Sequence, residues 1–173
     1  TQTLGVDVAR FGSDDTVLCR VEGNAAVDFD SHSGLDTSRI ATVVQNAVND
    51  HGIQWPNVGV DAVGIGAGVV DQLPGGVPVK AGSSPKPYRE GGSQYDFYNL
   101  RSQLWWVLRE ALKDYRLALP NPPADLVEDL CAPRYDFRGK KMEVRVEPKE
   151  DVKGRLGRSP GYADALGIGV VWG

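Results

Sequence analysis

The chain has 173 residues, of which 41% are hydrophobic and 24% charged, and its formal net charge is −4. This length and composition predict one ordinary globular domain with a sizeable core. No apolar run approaches the roughly 18–20 residues of a membrane-spanning helix, and no basic segment followed by an apolar stretch indicates export. The two cysteines and two histidines lack metal-ligand spacing, which argues against a zinc site and predicts free thiols in a reducing, cytosolic setting.

The charged residues are unevenly distributed along the chain. Residues 1–79 contain three basic groups and ten acids, whereas residues 134–158 contain nine basic groups and five acids. A basic segment of this kind suits contacts to phosphate groups. Two ordinary solvated surfaces explain the same distribution, so charge alone does not identify a partner.

The first half of the chain alternates between two hydrophobic patterns. Alternating apolar residues indicate strands, and apolar residues three and four positions apart indicate helices. Strands are predicted at 3–9, 15–22, 24–30, 57–62 and 77–81, and helices at 37–51, with Asp36 or Thr37 as the N-cap, and at 65–73. The short turn Gly23-Asn24 favours antiparallel neighbours, whereas the helix 37–51 implies a crossover to a parallel strand.

The second half is predicted to contain helices and one late hairpin. In the predicted helix 96–115, Trp105 and Trp106 are interpreted as core residues, although exposed tryptophans also stack on nucleic-acid bases. The remaining elements are a mobile loop at 82–94, a short strand ending at 120–123, a brief helix at 124–131, a hairpin at 134–148 with Gly139 in its turn, and a last helix capped by Ser159. Together these elements predict a mixed α/β sheet with helices on both faces.

Three carboxylates break the patterns of their predicted elements. Asp7 interrupts an apolar strand, Asp61 ends a strand before a glycine-rich turn, and Asp164 lies in an otherwise uncharged helix. If the two strands are adjacent and parallel, Asp7 and Asp61 lie roughly 5 Å apart, where carboxylates repel each other unless a positive charge intervenes. Mg²⁺ and Mn²⁺ prefer such oxygen ligands, and two of these ions can promote phosphodiester cleavage. Taken singly, each acid also has a structural explanation, such as an edge charge or a helix-dipole partner.

Other functional motifs are absent or incomplete. The segment VGIGAG at 63–68 has Val69 where a dinucleotide-binding fingerprint requires its third glycine. The sequence contains no GxxxxGK[ST] phosphate loop and no G-x-S-x-G nucleophile turn. The glycines at 64–68 are therefore interpreted as small residues that let a helix start close to the sheet.

Three segments together resemble the nuclease domain of the large terminase subunit of tailed bacteriophages: GVDVARFGSDDTVL, VGVDAVGIGAGVVDQL and KEDVKGRLGRSPGYADALGIG. The resemblance spans nearly the whole chain, and the three pieces are specific only in combination. It implies a ribonuclease H-like fold and an endonuclease that cuts concatemeric double-stranded viral DNA during packaging with two Mg²⁺ or Mn²⁺ ions.

The resemblance also assigns roles to residues. It implies that Asp7 bridges the two ions, that Asp61 and Asp164 hold one ion each, and that Asp14 or Asp15 is an accessory ligand, with the spacing in FGSDDT favouring Asp14. The residues expected to contact backbone phosphates are Lys140, Lys141, Arg145, Lys153, Arg155 and Arg158. The loop 82–94 is a candidate gate for the cleft.

The same resemblance implies a larger assembly. Terminases of this kind also carry an N-terminal ATPase motor and work with a small terminase subunit and a portal protein in the cytoplasm of the infected bacterial host. Residues 1–173 are therefore expected to form a single nuclease domain, the C-terminal part of a longer chain, with double-stranded DNA and no membrane as its partner.

Three alternatives remain open from the sequence. A Holliday-junction resolvase or another ribonuclease H-like nuclease would use the same acids on a different substrate. A non-catalytic DNA-binding or docking module would keep the acids for structure alone. An actin-like kinase would need a second glycine-rich phosphate hairpin, and the sequence shows none.

Overall fold

The computed structural model describes residues 1–10, 14–86 and 95–171. Its main sheet has five strands in the order β3-β2-β1-β4-β5. The strands are β1 (Gln2–Asp7), β2 (Thr16–Glu22), β3 (Ala25–His32), β4 (Val58–Asp61) and β5 (Val77–Val79). The first three strands pair antiparallel, whereas β4 pairs parallel with β1 and β5. The mixed sheet predicted from the sequence is confirmed.

A small second sheet and several helices complete the described fold. The second sheet is an antiparallel hairpin of β6 (Tyr135–Arg138) and β7 (Glu143–Val146), with Gly139 in its turn at φ 73°. The helices are α1 (Thr37–His51), α2 (Ile65–Val70), α3 (Leu100–Lys113), α4 (Leu126–Cys131), α5 (Lys149–Leu156) and α6 (Gly161–Val171). None of the helices in the described ranges is long and apolar enough to cross a lipid bilayer.

Several predicted boundaries were wrong. The helix predicted over 96–115 begins at Leu100, because the side chain of Asn99 caps it by accepting the backbone N–H of Ser102 at 2.9 Å. The short strand predicted before 120–123 is reduced to a single bridge between Ala118 and Ala25. Residues 87–94 of the predicted loop lie outside the described residues.

Helix α5 was not predicted at all. Val152 is its one buried residue, so the segment lacks the apolar stripe by which an amphipathic helix is recognised in a sequence. This omission matters because α5 begins at Lys149, which lies in the candidate site.

Alternation along β1 divides the core into two layers. Leu4 and Val6 pack with residues of α1 such as Ile40 and Val44 on one face of the sheet. Thr3, Gly5 and Asp7 point to the other face, where the hydroxyl of Thr3 donates to the carbonyl of Gly169 at 2.7 Å. Asp7 therefore lies on the face of β1 that carries polar and small residues, and α6 covers this face.

Helix α6 lies directly on β1 because glycines line the contact. A Cβ at Gly5 would lie 2.0 Å from the carbonyl oxygen of Ala165, and a Cβ at Gly169 would lie 3.1 Å from a side-chain carbon of Val21. Both are closer than an ordinary Cβ contact, so larger residues would force the helix away from the sheet. The close approach brings the first turn of α6 to the end of β1.

Candidate functional site

Asp7 and Asp61 end two neighbouring parallel strands. The register pairs Val6 with Val60, so the next residue of each strand places the two aspartates side by side at the same edge of the sheet. Asp7 is 2% exposed and Asp61 7% exposed. Oδ1 of Asp61 accepts the backbone N–H of Val63 at 3.0 Å, which fixes this carboxylate at the start of the turn.

The glycine-rich segment after Asp61 has the structural role that was expected of it. A Cβ at Gly66 would lie 1.8 Å from the carbonyl oxygen of Asp61, so only a glycine lets α2 start this close to the sheet. Gly64 adopts a φ of 64°, in the left-handed region. The segment therefore serves to pack the start of α2 closely against the end of β4.

Asp164 joins these two acids from the first turn of α6. Its backbone N–H donates to the carbonyl of Pro160 at 3.0 Å, and its side chain is 9% exposed. In the same turn, a Cβ at Gly161 would lie 3.3 Å from Oδ2 of Asp7. The close packing of α6 on β1 therefore brings the third predicted acid to the first.

Lys149 links Asp7 and Asp164. Its Nζ lies 2.7 Å from Oδ1 of Asp7 and 3.1 Å from Oδ2 of Asp164. Its side chain is largely buried. The sequence analysis counted Lys149 among nine basic residues and did not place it in the site, because nothing in the local pattern distinguishes it from its neighbours.

The charges of the cluster do not balance. Burial, with Asp164 and Asp61 nearby, raises the pKa of Asp7 to about 7 although Lys149 opposes the shift. Burial also raises the pKa of Asp61. Burial would raise the pKa of Asp164 too, but Lys149 and Arg101 outweigh it and the pKa is lowered. All three carboxylates raise the pKa of Lys149 against the effect of burial, while Arg101 pairs with Asp164 and Arg10 lowers the pKa of Asp61.

Two residues of α3 also contact Asp164. Arg101 Nη1 donates to Oδ1 of Asp164 at 2.9 Å, and the indole Nε1 of Trp105 donates to the same oxygen at 3.1 Å. The interpretation of Trp105 as a plain core residue was therefore incomplete, since it is half-buried and reaches the site. Trp106 is a core residue as expected, packed with Val144 and Val146.

Asp14 and Asp15 face different neighbours. Asp14 forms an ion pair with Lys153 and accepts the backbone N–H of Ser159 at 3.3 Å, beside the start of α6. Asp15 accepts the hydroxyls of Ser31 and Ser33 instead. Asp14 is thus the one turned towards the helices that carry the site, whereas Asp15 is engaged with β3 and the turn after it.

The six predicted phosphate-contacting residues fall into two groups. Lys153 pairs with Asp14, Arg155 pairs with Glu147 and Arg158 pairs with Asp129. The other three are Lys140, Lys141 and Arg145, none of which forms an ion pair with any residue that the structure describes.

The unpaired group lies on the hairpin. Lys140 and Lys141 are exposed in its turn. Arg145 stacks over the ring of Tyr98 at 4.5 Å, and both residues line the cleft that contains the acids. The hairpin thus presents unpaired positive charge from its turn to the rim of the site.

A cleft of about 270 Å³ opens over the acids. Asp7, Asp61, Asp164 and Lys149 form its polar side. Arg10, Arg101, Arg145 and Glu150 add further charge to the lining. The apolar part of the lining comes mainly from β5, β7, α3, α6 and the segment after β7, and includes Val79, Leu104, Trp105, Val146, Pro148 and Ile168. Such a cleft combines a charged cluster with walls that restrict access of water.

The donor set fits a hard divalent cation. Carboxylate oxygens are the ligands that Mg²⁺ and Mn²⁺ prefer, and the ammonium of Lys149 already lies between Asp7 and Asp164 as a cation would. Within the described ranges, no group of three or more His, Cys, Asp or Glu is arranged to hold an ion as it stands. Metal binding at these acids therefore requires Lys149 to move from its position between them.

The fold belongs to a recognised class. The antiparallel β3-β2-β1 unit, continued by parallel strands and covered by helices on both faces, is a ribonuclease H-like arrangement. No family model and no curated protein matches the sequence.

The structural neighbours are nuclease domains of phage large terminase subunits. The nuclease domain from bacterial virus Sf6 is 18% identical, with a TM-score of 0.78 over 96% of this chain and 86% of that one. A lysine-to-alanine variant of the Sf6 domain, solved with manganese and beta-thujaplicinol, has a TM-score of 0.79 at 17% identity, with the same coverage of both chains. The nuclease from thermophilic phage G20c with bound magnesium is 17% identical, with a TM-score of 0.67 over 99% of this chain and 79% of that one. The resemblance inferred from the sequence is confirmed in the fold.

Proposed function

We propose that this chain is a metal-dependent endonuclease that cuts double-stranded DNA. The observation that carries the proposal is the convergence of Asp7, Asp61 and Asp164 at one cleft, from three separate elements. The structural neighbours with bound manganese and magnesium support it. A solvent-excluded cluster of acids with too little positive charge is costly for a domain to keep without a function.

In this proposal Asp7, Asp61 and Asp164 would hold two Mg²⁺ or Mn²⁺ ions, with Asp7 shared between the ions and Asp61 and Asp164 contributing to one each. Such ions, when bound, activate a water and stabilise the charge that develops on the phosphodiester. The chain contributes the geometry, because β1 and β4 are rigid mounts for two acids and α6 fixes the third. Asp14 is the preferred accessory ligand, since it faces α5 and the start of α6, whereas Asp15 accepts the hydroxyls of Ser31 and Ser33 at the end of β3.

Phosphate contacts are proposed mainly for the hairpin. Lys140, Lys141 and Arg145 are free to contact the DNA backbone, which gives affinity that depends on salt but little on base sequence. Lys153, Arg155 and Arg158 contribute only if DNA displaces their acidic partners. Cleavage of many sequences is the expected consequence.

The biological setting is part of the same proposal. We infer that residues 1–173 are the nuclease domain of a longer terminase chain with an N-terminal ATPase. That chain would cut concatemeric viral DNA in the cytoplasm of the infected bacterium, together with a small terminase subunit and a portal protein. The resemblance to phage terminase nuclease domains supports this setting.

The direct test is a cleavage assay on supercoiled plasmid DNA with Mn²⁺ or Mg²⁺. We expect nicked and linear products that EDTA prevents, and loss of cleavage in Asp7→Asn, Asp61→Asn and Asp164→Asn. Asp50→Asn is the matched control, because this aspartate is exposed on α1. A wild-type protein that leaves the plasmid intact, or an Asp164→Asn variant with full activity, would refute the three-acid proposal.

The same assay separates the alternatives. A Holliday-junction resolvase would cut four-way junctions in preference to linear duplex of the same sequence. A non-catalytic DNA-binding module would retard DNA in a gel without cutting it at any metal concentration. Equal or greater cleavage of linear duplex supports the terminase-type activity.

A further inference from the structure

Arg101 and Trp105 occupy equivalent positions on one face of α3. They are four residues apart in the helix, so their side chains project in the same direction from successive turns. Arg101 is buried, and its side chain is 9% exposed. A buried arginine in an amphipathic helix is costly unless its charge is paired. Its partner therefore indicates why it is there.

Both side chains donate to one oxygen of one acid. Arg101 Nη1 lies 2.9 Å and Trp105 Nε1 3.1 Å from Oδ1 of Asp164. The other oxygen, Oδ2, lies 3.1 Å from Nζ of Lys149. The carboxylate of Asp164 thus has one oxygen that is held by α3. Its other oxygen faces the position between Asp164 and Asp7 where Nζ of Lys149 lies.

The donors are themselves fixed. Arg101 Nε donates to the carbonyl of Glu147 at 3.2 Å, at the end of the hairpin, and its backbone N–H donates to the carbonyl of Ala81 at 2.9 Å. Its guanidinium stacks on the ring of Trp105, 5.5 Å from the centroid. The pair is therefore anchored to two other segments before it contacts Asp164.

We propose that Arg101 and Trp105 are positioning residues that hold Oδ1 of Asp164 and leave Oδ2, now beside Lys149, to bind a divalent cation when Lys149 moves away. The inference rests on the proposed function, since it concerns the same acid cluster. Two directed donors on one oxygen leave the carboxylate little freedom to rotate. Partners of this kind orient metal-binding carboxylates, and losing one typically costs 10–100-fold in metal affinity.

The test uses substitutions that change the contacts more than the packing. Trp105→Phe removes the indole N–H and keeps a ring, and Arg101→Met removes the guanidinium and keeps the stem. We expect each to weaken Mn²⁺ binding, measured by calorimetric titration, about 10-fold or more. Trp106→Phe and Arg109→Met are the controls, because their indole and guanidinium lie on the hairpin side of the same helix and stack together at 4.7 Å. Trp106→Phe is expected to lower the Tm without weakening Mn²⁺ binding.

A second measurement does not depend on metal. In EDTA, the indole N–H resonance of Trp105 in a ¹H–¹⁵N spectrum is assigned as the peak lost in Trp105→Phe. Because this N–H donates to Asp164, we expect its resonance downfield of an exposed indole N–H, and we expect it to move upfield in Asp164→Leu, which removes the acceptor. An unmoved resonance would overturn the inference, as would unchanged Mn²⁺ affinity in both Trp105→Phe and Arg101→Met. A wild-type protein that binds no Mn²⁺ would instead refute the proposed function itself.

Discussion

Replacing Asp7 by asparagine should stabilise the metal-free protein at neutral and alkaline pH. Asp7 has a pKa of about 7 in the folded protein against an ordinary value of 3.8. The folded state therefore binds more protons than the unfolded state between these values, and its stability falls as the pH rises through them. Asparagine carries no such charge, so the variant escapes this loss.

The size of the effect follows from the same shift. A pKa raised from 3.8 to about 7 corresponds to about 4 kcal/mol of free energy of unfolding lost above pH 7. Between pH 5 and pH 8 the free energy of unfolding of the wild type should fall by about 3 kcal/mol, by the same relation. Lys149 keeps one carboxylate partner in the variant, since its Nζ lies 3.1 Å from Asp164. At about 2–4 °C per kcal/mol for a domain of this size, the variant should melt on the order of 10 °C higher at pH 8.

The assay is thermal or urea unfolding in EDTA at pH 5 and pH 8, with Asp50→Asn as the matched control. The gain of Asp7→Asn over the wild type should grow with pH, whereas the control should follow the wild type at both values. If Asp7→Asn unfolds at or below the wild-type temperature at pH 8, the reasoning about charge imbalance at this site is wrong. The same variant is expected to cut no DNA, so stability and activity should change in opposite directions.

The other predictions concern metal, packing and DNA. Mn²⁺ should raise the Tm of the wild type at pH 8 and EDTA should reverse the change, since a bound cation neutralises the acids; a Tm independent of both would contradict this. Gly5→Ala should lower stability by about 3 kcal/mol, because the new Cβ would lie 2.0 Å from a carbonyl oxygen of α6, whereas Gly154→Ala has open space and should be neutral or stabilising in an unfolding assay. Replacing both Lys140 and Lys141 by glutamine should reduce the slope of log K against log salt by about two in a DNA-binding titration, whereas Arg155→Gln should leave this slope unchanged because its charge is already paired.

Much of the fold follows from local sequence patterns. Strand alternation and helical spacing depend on residues within one element, so the five strands of the sheet and the order in which they occur could be predicted. The two-residue turn after β2 and the helical crossover before β4 then determine which neighbours are antiparallel and which parallel. The start of α3 escaped prediction because the side chain of Asn99 caps the helix there, and α5 escaped prediction because it has one buried residue and no apolar stripe.

The three acids were also determined by the sequence, because each is exceptional within its own element. A carboxylate in an apolar strand or an uncharged helix is visible without knowledge of its neighbours. Alternation in β1 further places Asp7 on the opposite face from Leu4 and Val6. The parallel pairing of β1 with β4 then brings Asp61 beside it.

The partners of those acids were decided only by the tertiary structure. Lys149 pairs with Asp7 across 142 positions of the chain, and Arg101 pairs with Asp164 across 63. No local period connects residues so far apart, and a lysine or arginine looks the same in the sequence whether it binds an acid or faces solvent. Close packing of α6 on β1 is what brings the acids together, and the charge each of them carries depends on that packing.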